Sequence, residues 1–124
     1  TARQVPVPPV PIDPSLQGVA QAFLSQDNRA LTFRLTHSVT GSLLNAHLHR
    51  AARPGLPATA DPVLCALADG TDGAQGTCVV NPGAGGIAEL LLTDLASGVV
   101  YADVHPDKGA NAVLGGFLTL PTLQ

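Results

Sequence analysis

The chain has 124 residues, 45% of them hydrophobic and 12% charged, with 6 Lys and Arg against 9 Asp and Glu for a formal charge of -3. That length carries one domain, residues 1–124, with a real core and is short for two. The charge balance offers a nucleic acid no basic stripe, and no apolar run approaches the roughly 18 residues of a membrane-spanning helix.

Punctuation is dense, with 13 Gly, 11 Pro, no Met and no Trp, and the apolar runs between are short. That is the pattern of many short strands rather than a few long helices. The chain opens on TARQVPVPP without a signal peptide, as a processed mature form would. The Pro-rich stretch that follows, an arm over residues 1–14, cannot be a central strand because each proline removes a ladder donor. An extended, polyproline-like arm along a sheet edge is expected, although PVPPVP also resembles a ligand for proline-binding modules.

The first strand is predicted over GVAQAFL (18–24). ALTFRLTH (30–37) alternates, with Leu31, Phe33 and Leu35 on one face and Thr32, Arg34 and Thr36 on the other. His37 continues the apolar phase, which predicts a half-buried or turn histidine. LLNAHLH (43–49) places Leu44, Ala46 and Leu48 inward and Asn45, His47 and His49 on the opposite, polar face. The histidine pair therefore points away from the core.

DPVLCAL and GTCVV read as two strands around a Gly- and Asp-rich turn, with Cys65 and Cys78 on either side of it. Such a turn brings strand ends within disulfide range. A disulfide would suit an oxidising compartment and hence an exported protein; two inert, half-buried thiols are the alternative. IAELLLTDLASG (87–98) predicts a short helix near 88–96 closed by Gly98, or else a strand. VVYADVH (99–105) sends Val100, Ala102 and Val104 inward and Tyr101, Asp103 and His105 outward, and AVLGGFLTL (112–120) closes the chain. Seven or eight short strands predict an all-β, antiparallel Greek-key sandwich or barrel.

Two strands thus present histidine on a polar face: His47 with His49, and His105. Should they neighbour one another, three imidazoles converge, a donor set that suits zinc, copper or nickel and leaves a position open. The absence of Met excludes a thioether copper(I) site, and the affinity order of N-rich sites favours copper(II) over zinc(II). Asp103 and Asn45 share these faces and could fix an imidazole tautomer, or Asp103 could ligate directly. His37 is a further candidate of that kind, and Asp107 a weaker one in a turn. The plain alternative is a polar surface pattern with no metal.

Other chemistry finds little support. No Ser sits in a G-x-S-x-G elbow, Glu89 is the lone glutamate, and NPGAGG (81–86) lacks the Lys-Ser/Thr of a phosphate loop.

QVPVPPVPIDPSLQGVAQAFL, ALTFRL, NAHLHR with its Pro/Gly loop, and GVVYADVH followed by GG together resemble the CHRD domain, first noted in chordin and widespread in exported bacterial proteins. The resemblance implies an exported immunoglobulin-like or superoxide-dismutase-like β-sandwich, with His47, His49 and His105 matching the family's recurrent histidines. Their layout is also similar to the copper half of Cu,Zn superoxide dismutases. No histidine lies between His49 and His105, so the bridging histidine and zinc cluster of those enzymes have no counterpart. NAVLGGFL carries Val113 and Gly115 where the family's closing strand has an acid and an arginine, which removes a cationic guide for superoxide.

The expectation is a secreted or periplasmic, cell-envelope domain holding one copper ion, with zinc the alternative, for capture, storage or transfer. Two rivals stand beside it: a structural or protein-contact module that forms a homodimer or binds a protein partner, and a copper redox enzyme of the dismutase type.

Overall fold

The computed structural model describes residues 18–38, 45–58, 60–69, 73–82, 88–105 and 114–118. The proline arm, Asp107, Val113 and most of the NPGAGG stretch lie outside them. Seven strands form: β1 (Gly18–Leu24), β2 (Ala30–His37), β3 (Asn45–Arg50), β4 (Val63–Asp69), β5 (Gly73–Val79), β6 (Val100–His105) and β7 (Leu114–Phe117), with one helix, α1 (Leu92–Ser97), before β6. Their order across the curled sheet is β1-β2-β5-β4-β3-β6-β7, and each neighbouring pair is antiparallel.

The topology is a Greek key. Strands β3, β4 and β5 run as a meander, and β6 returns through a long connection to pair with β3. Chain segments far apart in sequence thereby become neighbours.

Alternation explains the core. Leu31, Phe33 and Leu35 of β2 are fully buried, as are Ala46 and Leu48 of β3 and Val100, Ala102 and Val104 of β6. Leu67, Ala74, Cys78, Val80, Leu90, Leu95 and Leu118 complete this cluster. Phe33→Ala should cost about 3–5 kcal/mol through lost burial and a cavity; urea unfolding would measure it, and a loss under about 1 kcal/mol would contradict this packing.

The helix is shorter than the predicted 87–98. Leu91 forms a parallel bridge with Asn81, the Asn81 N–H donates to Leu90 O, and the Leu92 N–H donates to Asn81 O. Pairing with Asn81, just beyond β5, therefore holds Leu91 extended, and helical φ/ψ starts only afterwards. Gly98 closes α1 as expected, with φ 75° and its N–H directed at the Asp94 and Leu95 carbonyls. Arg50 Nη1 donates to Asp94 Oδ2 at 2.9 Å and to Glu89 O at 3.3 Å, tying the end of β3 to the helix region.

Among the described residues, strands β4 and β5 pair at two positions, Ala68 with Gln75 and Asp69 with Ala74, both beside the turn. Farther along, the Cys65–Cys78 disulfide joins them with Cα atoms 6.0 Å apart. On its other edge β4 supports β3, with a register shift between Leu48 and His49.

Candidate metal centre

The site grows out of one ladder. In the β3–β6 register Asn45 faces His105, His47 faces Asp103 and His49 faces Tyr101. Since side chains two apart share a face, these six residues form two facing rows on the side opposite Ala46, Leu48, Ala102 and Val104. The sequence predicts that orientation correctly. It does not predict the burial: Tyr101, Asp103 and His49 are all buried, so this second face is covered rather than open to water.

Asp103 occupies the middle. Its Oδ1 lies 3.0 Å from His49 Nε2 and 3.8 Å from His47 Nδ1, and its Oδ2 lies 3.2 Å from His105 Nε2. The His47 ring centroid is 5.5 Å from that of His49 and 5.5 Å from that of His105. One ligand atom from each of His47, His49, Asp103 and His105 can be chosen so that all four lie within 4.8 Å of one another. Burial opposes ionisation of Asp103, but the imidazoles of His105, His47 and His49 gathered around it outweigh that and hold the carboxyl well below the usual carboxylate range.

The sequence gives no warning of what covers this face. His49 Nδ1 donates to the backbone carbonyl of Asp61 at 3.3 Å, which leaves Nε2 directed at the cluster. The Tyr101 ring stacks on His49 with centroids 5.2 Å apart and packs against Phe117 at 5.0 Å. Its hydroxyl donates to Asp61 Oδ2 at 2.8 Å. Burial first, then Asp61, pushes the phenol above its ordinary range. Period-2 alternation places Tyr101 on the face, but no periodicity marks Asp61, which lies in a loop.

The other candidates stand elsewhere. Asn45 is half-buried opposite His105. His37 is buried at the end of β2, which β5 and β4 separate from β3, and it is not among the four residues brought together.

A family comparison decides the classification: the model of the CHRD domain matches residues 1–118. The chain belongs to the CHRD domain family. Comparisons with curated proteins and with solved structures gave no match. Among the described residues of this CHRD domain, no helix is long and apolar enough to cross a membrane.

The donor set fits a transition-metal ion. His47 Nδ1 is buried and has no hydrogen-bond partner, a costly condition that a bond to a cation would relieve. Metal–nitrogen bonds of about 2.0–2.1 Å place neighbouring donors roughly 3 Å apart and opposite donors roughly 4 Å apart. The four ligand atoms, within 4.8 Å of one another, are close to that spacing. Three imidazole nitrogens and one carboxylate oxygen form a borderline-to-hard set without sulfur. Both cysteines are committed to the disulfide.

Proposed function

We propose that this CHRD domain is an exported module that holds one copper ion through His47, His49 and His105, with Asp103 as a fourth donor or as their common acceptor. The observation that carries the reading is the buried, unpartnered His47 Nδ1 beside two more imidazoles and a carboxylate. Copper is preferred over zinc because an N-rich site without thiolate follows the general affinity order, in which copper(II) stands highest. The disulfide fits export to an extracellular or periplasmic space.

Capture, storage or transfer fits the shielding better than turnover does. The Asp103 side chain is 5% exposed, and the outermost ring, His105, reaches only 20%. An ion there is enclosed on most sides, with His47 and His105 offering the open edge. Copper(II) titration of the purified protein should show one tight site per chain, with an electron paramagnetic resonance spectrum of nitrogen-rich ligation. Copper in excess should also raise the melting temperature, because a ligand of the folded state stabilises it. Absence of a stoichiometric site would end this reading.

A protein-contact role has one observation in its favour. Phe23 and Val79, on the outer side of β1 and β5, are 64% and 83% exposed. If contact were the sole role, added copper would leave the melting temperature unchanged.

A further inference from the structure

The contacts of Asp61 go beyond packing. Its carboxylate Oδ2 accepts from the Ala58 N–H at 2.8 Å and from the Tyr101 hydroxyl at 2.8 Å, while its own backbone carbonyl accepts from His49 Nδ1. Asp61 also precedes Pro62, a position sterically confined to extended φ/ψ. Two side-chain bonds and a restricted backbone therefore fix the direction of one carbonyl. A carbonyl only accepts, so it keeps a proton on His49 Nδ1 and leaves Nε2 as the nitrogen that faces Asp103 and the cluster.

We infer that Asp61, clamped through Tyr101, is a positioning residue that keeps a proton on His49 Nδ1, so that Nε2, which faces Asp103, is the nitrogen a metal would take in place of its proton. The inference rests on the metal-binding reading above but concerns a residue outside the four donors. Tyr101 has two parts in it: its ring sets the plane of the imidazole by stacking, and its hydroxyl anchors Asp61. A ligand histidine whose other ring nitrogen is tied to a fixed acceptor is a better-organised donor, and loss of such a tie weakens metal binding by about 10- to 100-fold.

The test compares Asp61→Ala, Asp61→Asn and Tyr101→Phe with the wild type. Copper(II) affinity is measured by chelator competition, and the His49 ring is followed by 15N-edited NMR in the metal-free and zinc(II)-loaded proteins. Asp61→Ala should weaken copper by about 10- to 100-fold and mix the two tautomers of His49. Asp61→Asn keeps an amide oxygen able to accept both bonds, and it should restore affinity and tautomer nearly to wild type. Tyr101→Phe retains the stack on His49 and Phe117, so it keeps the fold while producing a smaller loss of the same kind. Wild-type affinity and an unchanged Nδ1–H signal in Asp61→Ala would overturn the inference. If the wild type binds neither metal, the proposed function fails instead. The metal-free spectra then still judge Asp61: loss of the Nδ1–H signal in Asp61→Ala upholds its role and retention refutes it.

Discussion

Alanine at His49 is expected to abolish tight copper binding and to destabilise the metal-free protein as well. Residues that merely support a ligand already contribute 10- to 100-fold in affinity, so a donor itself should account for roughly 100-fold or more. The effect on the empty protein follows from the contacts. His49 touches Asp103 Oδ1, the Asp61 carbonyl and the face of Tyr101, and it is buried. Its removal leaves a buried carboxylate short of a donor and a carbonyl short of its partner, a loss of about 1–3 kcal/mol. His105→Ala is the contrast: it should lose copper similarly, yet cost less stability than His49→Ala because its ring is the more exposed. Calorimetric titration and thermal melts of both variants separate the two effects. Copper affinity within threefold of wild type in His49→Ala would remove this residue from the site.

Acidity bears on the same cluster. The folded-state pKa of Asp103 is depressed, so its contribution to stability is fully present above the unfolded carboxyl value of about 3.9. It is lost as the pH falls below that value toward the lower folded one. Metal retention should also fall as the solution becomes more acidic, because protons compete for the same donor atoms.

The second large effect concerns the Cys65–Cys78 bridge. Replacing both cysteines with serine should cost about 3 kcal/mol, the loop-closure value for a loop near 15 residues, for a sequence separation of 13. On a domain of this size that lowers the melting temperature by roughly 10 °C. Among the described residues, strands β4 and β5 share two register pairs, both next to their turn, and the disulfide links them farther along. Loss of that link should be felt next door in β3, where amide hydrogen exchange at Leu48 and His49 ought to accelerate. Dithiothreitol should lower the wild-type melting temperature and leave the serine variant unaffected. A cost under about 1 kcal/mol would show that the ladders alone hold β4 in place.

Much of this was legible from residue order alone, for identifiable reasons. Strict alternation in ALTFRLTH and VVYADVH fixes strand type and phase, and a phase once fixed puts His47, His49, Asp103 and His105 on a common side. A Gly/Asp-rich turn between Cys65 and Cys78 predicts their bridge, and Gly98 predicts the helix end. Periodicity says which way a side chain points, however, and nothing about what lies above it. Burial of Tyr101 and Asp103 depends on Phe117 and on the segment carrying Ala58 and Asp61, which no local pattern marks. The start of α1 was illegible for a related reason: Leu91 suits a helix, but the tertiary bridge to Asn81 keeps it extended.

Strand order also bears on the timing of assembly. His49 and Asp103 lie 54 positions apart, and they meet only after β6 has crossed back to β3. During synthesis, a chain that lacks its last quarter has one half of the cluster and nothing to close it. An ion that needs all four donors of the proposed site could therefore be taken up only after β6 has paired with β3.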